Sequence, residues 1–226
     1  KRRLTMAEMV AIMGETGHGK SHSIQYLNPE ETFIFNCDKK SLPFKGWKSK
    51  YSIEKQNYAF TTDPSEIIRL LKAISILEER KNIKYIVIDT LNAVMIDDEM
   101  KRMKDVGYDK WVDLAVSVYG ILDTAACLRD DLTIFCMFHT QDLLDDVGNH
   151  FYRVQTSGQK LQKIKLESKF PVVLHSKCDY GDEKNEYYFE TQANHSTAKS
   201  PEGMFPAKRI PNNLKLVADY VTEYNS

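Results

Sequence analysis

Residues 14–21 have the residue types and the spacing of a loop that binds phosphate groups. They read Gly14-Glu15-Thr16-Gly17-His18-Gly19-Lys20-Ser21, and His22 follows. Glycines let the backbone curl until successive N–H groups point at phosphate oxygens. Lys20 would reach the β- and γ-phosphates of a nucleotide, and the Ser21 hydroxyl would ligate Mg²⁺. The pattern therefore predicts a nucleoside-triphosphate site formed by residues 14–22, with ATP and Mg²⁺ as cofactors.

The segments on either side of residues 14–21 fit such a loop. Met9–Met13 is a short apolar run that predicts a buried strand, and Ser21–Leu27 can open a helix. A helix at this point would turn the positive end of its dipole toward the phosphates. A chance glycine-rich turn is the alternative, and the strand before the motif together with the helix after it favours the phosphate loop.

Asp89 is the second candidate for chemistry. It ends the apolar run Tyr85-Ile86-Val87-Ile88, which is typical of a central parallel strand with a functional carboxylate at its C-terminal tip. In proteins with a phosphate loop such an Asp holds Mg²⁺. The alternative is an Asp that only caps the next helix, and the pairing with the loop favours the metal role.

Two other predicted strands also end in polar residues. Thr32–Cys37 leads into Asp38, and Leu132–Phe138 leads into His139. Polar groups at the tip that carries His139 can contact the γ-phosphate and report whether it is present. His139 is equally compatible with an ordinary loop residue.

The remaining segments alternate between strand and helix patterns. Asp63-Pro64-Ser65-Glu66 predicts a capping box that starts a helix running to about Arg80, and 109–129 predicts a second, long helix. We expect a loop over 142–152, a short helix over 157–168, a hairpin from 171–176 and 186–191, a linker over 206–211, and a final helix capped by Asn212-Asn213. This order predicts a single α/β domain over residues 1–226 with a mostly parallel sheet covered by helices on both faces.

The bulk composition excludes several classes of protein. Lys and Arg total 31 against 32 for Asp and Glu, so the net charge is −1 and no global charge indicates nucleic-acid binding. The four cysteines have no C-x-x-C spacing, so neither a zinc site nor a disulfide framework is indicated and we expect a reduced, cytoplasmic setting. No apolar run is long enough to span a membrane, so no membrane partner is expected.

The chain resembles RecA-like ATPases of the short, single-domain phage type, which are associated with single-strand annealing and recombination. The resemblance rests on these segments: Gly14–Ser21, Lys40–Gly46, Ile86–Asp89, Phe138-His139, Ala198-Lys199 and Ile210–Leu214. It implies a RecA-like core closed by a C-terminal β-hairpin, with ATP hydrolysis. It also implies assembly into homo-oligomeric rings or filaments that bind single-stranded DNA, in the host cytoplasm for a phage protein.

The same resemblance implies roles for individual residues. Lys20, Ser21 and Asp89 match the family, but the Glu that polarises water after the second strand is replaced by Asp38. Hydrolysis could therefore be slow or depend on a partner. His139 or Gln141 would sense the γ-phosphate, and Lys199 is the candidate cation inserted from a neighbouring subunit.

Two loops would bind DNA on this resemblance. The first spans about 96–110, and the second spans about 141–165. Their candidate contacts are Arg102, Tyr108, Lys110, Phe151, Tyr152, Arg153, Lys160 and Lys163. Aromatic rings beside cations suit single strands, because stacking is tolerant of sequence. The lysine-rich run Lys39–Lys50 is a third candidate, and a solvated charged face is the alternative for each.

The sequence is also compatible with other functions. Ser176-Lys177-Cys178-Asp179 resembles a guanine-selecting motif, but Ser stands where Asn or Thr is needed and a hairpin explains the residues, so ATP is favoured. A nucleotide or small-molecule kinase could use the same phosphate loop, although no arginine-rich lid is present. An ATP-gated scaffold or loader for a replication or single-strand-binding protein is the non-catalytic alternative.

Overall fold

The structure is a computed structural model that describes residues 6–102, 109–144, 147–157 and 165–226, with residues 109–115 described as helical backbone alone. Its strands are β1 Glu8–Gly14, β2 Thr32–Asn36, β3 Tyr58–Ala59, β4 Tyr85–Asp89, β5 Thr133–Leu144, β6 His150–Val154, β7 Val172–Asp179, β8 Glu186–Glu190 and β9 Arg209–Pro211. Its α-helices are α1 Trp47–Lys50, α2 Pro64–Ile76, α3 Leu91–Lys101, α4 Asp109–Ala126 and α5 Leu214–Tyr224. Short 3₁₀ helices cover Ser21–Tyr26, Glu78–Arg80 and Leu166–Lys169.

The strands form one sheet in the order β3-β2-β4-β5-β1-β7-β8-β9, and β6 pairs with the outer part of β5. Strands β3, β2, β4, β5, β1 and β7 run parallel, whereas β8 and β9 continue the sheet antiparallel to β7. The expected α/β fold, with a mostly parallel sheet and a C-terminal hairpin, is confirmed. Because the parallel strands end at one edge, Gly14 lies between His139 and Ser176.

Apolar side chains fill both faces of the sheet. On one face, α2, α3 and α4 bury residues such as Ile67, Val94 and Ile121. On the other face, the 3₁₀ helix after β1 and helix α5 bury residues such as Ile24 and Val217. These side chains are fully buried, so the hydrophobic effect holds a helical layer against each face. The expected helices on both faces are therefore present.

The segment after the phosphate loop differs from the expected helix, because residues 21–26 form one short 3₁₀ helix. The Ser23 hydroxyl donates to the Lys20 carbonyl at 2.5 Å, and such local bonds compete with α-helical ones. Leu27 then adopts an extended conformation, and Asn28 precedes Pro29, which disfavours further helix. The turn is therefore too short to add a long helix dipole to the loop.

Three segments expected to be irregular are regular. The predicted loop over 142–152 is too long, because β5 continues through His139 to Leu144 and pairs with β6 from His150 onward, so of its described residues only 147–149 are irregular. The predicted linker over 206–211 contains β9, whose Ile210 is buried opposite Phe189. Residues 96–101 of the first predicted DNA loop belong to helix α3. In each case tertiary pairing or packing outweighs the polar residues that indicated a loop.

The helix predictions are corrected at their ends. Asp63 caps α2 by accepting the Ser65 N–H at 2.9 Å, but Glu66 accepts from the Thr61 hydroxyl and does not close a capping box. Helix α2 ends at Ile76, and α4 ends at Ala126. The helix expected over 157–168 falls mostly outside the described residues. None of the helices in the described part of the chain has the length and apolar composition needed to cross a membrane.

Asn213 caps α5 as expected, and its removal should destabilise the fold measurably. Its side-chain oxygen accepts the Leu216 N–H at 3.1 Å. We expect Asn213→Ala to cost about 1 kcal/mol and to lower Tm by about 2–4 °C, measured by thermal denaturation. Thr222→Ala, at an exposed position within the same helix, is the control and should leave Tm unchanged or slightly raised. Equal Tm values for Asn213→Ala and the parent protein would contradict the capping role.

Candidate nucleotide-binding site

The phosphate loop leaves the central strand β1 at Gly14 and is fixed from the neighbouring strand β7. A Cβ atom at Gly14 would lie 2.7 Å from the Ser176 carbonyl oxygen, so only glycine fits there. The Ser176 hydroxyl donates to the His18 carbonyl at 2.5 Å and accepts from the Asn212 side chain at 3.1 Å. The loop conformation is thus held by residues more than 150 positions away in the chain.

Lys20 is buried at the mouth of the loop, with only 5% of its surface exposed. Its Nζ donates to the carbonyl oxygens of Gly14 at 2.7 Å and Glu15 at 2.9 Å. Burial lowers the pKa of Lys20 to about 8, and the nearby charge of Asp89 opposes that shift. At neutral pH the ammonium is therefore charged, poorly solvated and able to exchange carbonyl oxygens for phosphate oxygens.

Asp89 is completely buried, and neither of its carboxylate oxygens has a hydrogen-bond partner. Burial raises its pKa, while the nearby Ser21 hydroxyl and the charges of Lys40 and Lys20 act in the opposite direction. A buried carboxylate without partners is costly unless a cation or donors compensate it. Two unpartnered oxygens beside a serine hydroxyl are donors that Mg²⁺ prefers. The residues present therefore fit a magnesium ion.

A magnesium ion at Asp89 would need ligands beyond the protein. Among the described residues, no group of three or more His, Cys, Asp or Glu side chains is placed to hold a metal ion. Mg²⁺ bound by one or two protein oxygens, waters and substrate phosphates is the usual arrangement in nucleotide enzymes. The site consequently suits a metal that arrives with a triphosphate.

Asp38, which stands where the resemblance puts the water-polarising Glu, lies beside Asp89, but its oxygens are engaged. The backbone N–H of Asp38 donates to the Asp89 carbonyl at 3.2 Å. One carboxylate oxygen accepts from the Thr90 hydroxyl at 2.7 Å, and the other pairs with Lys40. Burial alone would raise the pKa of Asp38, but the hydrogen bonds from Lys40 and Thr90 outweigh it and lower the pKa. Asp38 is therefore ionised and bound at neutral pH.

His139 also reaches the site, inside strand β5 and not in a loop. Its backbone N–H donates to the Asn92 side chain at 2.8 Å, and Asn92 in turn donates to the Gln155 carbonyl. Burial, with the charge of Lys20, lowers the pKa of His139, so its ring is neutral at pH 7. A neutral imidazole here can accept or donate a proton near the terminal phosphate.

A polar cavity of about 420 Å³ opens beside the loop, and its lining residues are Glu15, Thr16, His139, Thr140, Asp142 and Gln155. A larger cavity of about 650 Å³ lies at the opposite ends of β2 and β4, among residues such as Asn57 and Arg80. We assign nucleotide chemistry to the smaller cavity because it borders the phosphate loop.

The C-terminal hairpin of β7 and β8 covers the loop, which the sequence did not indicate. Gly19 has a φ of +86°, and a Cβ atom there would lie 2.8 Å from the Tyr187 ring. The Tyr187 and His22 rings lie 5.5 Å apart, and the Tyr180 ring lies 6.3 Å from that of His18. Strand β7 also contains Lys177, which pairs with Glu190, so the guanine-like motif is part of the sheet.

Sequence reasoning missed several residues that hold the site together. They are Lys40, Thr90, Asn92, Ser176, Tyr187 and Asn212. Thr90 directly follows β4, and Ser176 ends the strand predicted over 171–176 although β7 continues to Asp179, so strand tips were the available signal. The sequence gives no comparable signal for Tyr187 and Asn212, because their contacts depend on how the last strands pair.

The residues expected to bind DNA are only partly described. Arg102 ends α3 and lies 3.1 Å from Asp98. Phe151, Tyr152 and Arg153 lie in β6, and the Tyr152 ring is 5.4 Å from that of His175. Tyr108, Lys160 and Lys163 fall outside the described residues, and for Lys110 only the helical backbone is described. These DNA contacts therefore remain predictions.

Lys199 lies beside β7 and exchanges two backbone hydrogen bonds with Val173, each 2.8 Å long. Its side chain is exposed. Insertion into the site of a neighbouring subunit concerns an assembly, so that role also remains a prediction.

The pKa of Lys20 should make nucleotide affinity depend on pH. The charged ammonium binds phosphates, and the free side chain loses its proton near pH 8. We therefore expect the Kd for ATP to rise by up to about tenfold per pH unit above pH 8. The phosphates of ATP gain little further charge over that range. Isothermal titration calorimetry from pH 7 to 9.5 measures this.

Lys20→Arg is the matched variant for that titration, because a guanidinium stays charged throughout. Its Kd should be flat over the same pH range, whatever its absolute value. An equal pH dependence in both proteins would show that another group controls binding.

Comparison with known proteins gives similarity only at the level of solved structures. No family model matches this sequence, and no curated protein matches it significantly. A KaiC-like protein from the hyperthermophilic archaeon Pyrococcus horikoshii aligns with 91% of this chain and 85% of its own, at 15% identity and a TM-score of 0.49. The flagellar accessory protein FlaH from Methanocaldococcus jannaschii aligns with 92% of this chain and 85% of its own, at 15% identity and a TM-score of 0.46.

Proposed function

We propose that this chain binds ATP with Mg²⁺ and hydrolyses it slowly. The observation that carries the proposal is Asp89, a fully buried carboxylate with two unpartnered oxygens next to Lys20 and Ser21 of the phosphate loop. Such a group is unfavourable in the protein by itself and becomes favourable once a cation is bound.

Different residues of the site would bind different parts of the nucleotide and its magnesium ion. Backbone N–H groups of residues 17–21 would hold the phosphates, and Lys20 would leave the Gly14 and Glu15 carbonyls to contact the terminal phosphates. Asp89 and Ser21 would hold the magnesium ion. When bound, that ion supplies charge neutralisation to the phosphate oxygens.

Hydrolysis requires a water molecule to attack the γ-phosphorus, break the bond to the β-γ bridging oxygen and lose a proton. The acceptors near the loop are Asp38 and the neutral ring of His139. Asp38 is held by Thr90 and Lys40, so it accepts a proton only if it gives up part of that network. This arrangement supports a low basal rate, which a partner that draws Lys40 away would raise.

We also propose that single-stranded DNA is a partner and that the chain assembles with copies of itself on it. The described part of the β5–β6 hairpin supports this role. Leu144 and Val147 are 67% and 81% exposed near its tip, and Phe151 and Tyr152 follow on β6 with partial exposure. Aromatic and apolar side chains on a projecting hairpin suit stacking with unpaired bases. In this proposal the ATP-bound assembly holds a strand for pairing.

Asp89→Asn tests the magnesium role and separates it from folding. We expect Mg²⁺-dependent phosphate release from ATP to fall by about a hundredfold or more, because the carboxylate that holds the cation is gone. The nucleotide-free protein should gain about 1–3 kcal/mol of stability, since a buried charge without partners is removed. Phosphate release and thermal denaturation measure the two effects.

Asp130→Asn is the control, because Asp130 is exposed near the start of β5, at the opposite edge of the sheet. It should leave both measurements unchanged. Unaltered hydrolysis in Asp89→Asn, or no magnesium-dependent hydrolysis in the parent protein, would exclude the proposed activity.

Phe151→Ala tests the DNA partner. We expect the Kd for a fluorescent oligothymidine, measured by anisotropy with ATP and Mg²⁺, to rise at least about fivefold because one stacking ring is lost. Phe60→Ala removes another exposed aromatic ring, which lies 50% exposed just after β3, and should have no effect. Light scattering of the same mixtures reports assembly. A parent protein that stays monomeric and does not bind the oligonucleotide would refute this part of the proposal.

A further inference from the structure

The two ends of the phosphate loop face different parts of a bound nucleotide. Lys20 reaches toward the β- and γ-phosphates, and the N–H groups of the loop cradle the α- and β-phosphates. The nucleoside therefore leaves the loop on the side of the residues that follow Lys20. His22 and the 3₁₀ helix that begins at Ser21 lie on that side.

Two aromatic side chains meet where the nucleoside would leave. Tyr187 of β8 lies directly over Gly19, where a Cβ atom would come within 2.8 Å of its ring. Its centroid is 5.5 Å from that of His22, with 37° between the ring planes. Both side chains are only partly buried, so each keeps ring surface open to a ligand.

His22 has the properties of a supporting ring. The Gln25 side-chain amide contacts the His22 ring nitrogen Nε2 at 2.8 Å and fixes the orientation of the ring. A ring held in one orientation can pack against a second aromatic surface.

The neighbours of Tyr187 on β8 contact other parts of the protein. Tyr188 points the other way and has the Arg209 guanidinium 3.4 Å from its ring centroid. Phe189 is fully buried in the core between the sheet and α5. Within this aromatic run Tyr187 alone faces the phosphate loop, and its neighbour there is a glycine that offers no side chain to pack against.

We propose that Tyr187, supported by His22, is the platform on which the base of the bound nucleotide stacks. This inference rests on the proposed nucleotide site and adds its ligand class, a planar heteroaromatic base linked to a triphosphate. The hairpin of β7 and β8 then has two roles, because it fixes the loop through Ser176 and receives the base through Tyr187.

The test compares ATP with inorganic tripolyphosphate, which has the phosphates but no base. Binding of each with Mg²⁺ is measured by calorimetry for the parent protein, Tyr187→Ala, Tyr187→Leu and Tyr187→Phe. Losing the stacking ring should weaken ATP binding on the order of tenfold or more in the Ala and Leu variants. Tripolyphosphate binding should be unchanged, and the Phe variant should bind ATP like the parent protein.

Tyr187→Leu separates stacking from packing, because leucine keeps apolar bulk over Gly19 without an aromatic face. Tyr188→Ala is the matched control on the same strand and should leave both ligands unaffected. Thermal denaturation of each variant verifies folding.

Two results would contradict the proposed stacking of the base on Tyr187. One is unchanged ATP affinity in Tyr187→Leu, and the other is an equal loss of ATP and tripolyphosphate binding, which would assign Tyr187 to loop support alone. Failure of the nucleotide site itself gives a different pattern, in which the parent protein binds neither ligand and Lys20→Ala behaves like the parent.

Discussion

The structure depends on keeping two opposite charges buried at the edge of one sheet. Lys20 and Asp89 have 5% and 0% of their surfaces exposed. Burial lowers the pKa of Lys20 and raises the pKa of Asp89, so in both cases it favours the uncharged side chain. Their mutual attraction offsets part of this cost. The remainder is unfavourable in the protein alone, and a polyanion at Lys20 with a cation at Asp89 would compensate it. The buried charges of Lys20 and Asp89 therefore also indicate the class of ligand that this edge of the sheet would bind.

The topology of the sheet makes that arrangement possible. Strand β5 lies between β1 and β4, so the loop and Asp89 are separated by one strand and His139 stands between them. On the other side, β7 places Ser176 against Gly14, and Asn212 reaches Ser176 from the chain that follows β9. Parallel strands bring distant residues to one edge, and the antiparallel additions β8 and β9 then cover that edge. Strand β8 contacts the loop through Tyr187, and Asn212, just after β9, holds the Ser176 hydroxyl that binds the loop.

The parts of this site that the sequence predicted are those with local signals. The loop has a fixed spacing, and the strands ending at Gly14 and Asp89 are continuous apolar runs, as fully buried parallel strands require. The extension of β5 past His139 was missed because it begins with the polar residues Thr140, Gln141 and Asp142, and only the pairing with β6 makes them a strand. Tyr187 and Asn212 were missed for a related reason. Their contacts with the loop region arise from the pairing of β7, β8 and β9, which no short window of sequence specifies.

In the proposed function, binding and turnover would be decided by different residues, as the position of Asp38 illustrates. The carboxylate is in place beside Asp89, but Thr90 and Lys40 occupy its oxygens and lower its pKa. A proton acceptor works best when its pKa is close to the working pH, and this network moves Asp38 away from that optimum. In the proposed function Asp38 contacts neither the phosphates nor the magnesium ion, so affinity can be high while turnover stays low. A partner that contacts the exposed Lys40 would alter turnover without touching the phosphate loop, because Lys40 is the member of the network that solvent reaches. In the proposed function, the position of Lys40 would thus allow hydrolysis to be controlled from outside the nucleotide site.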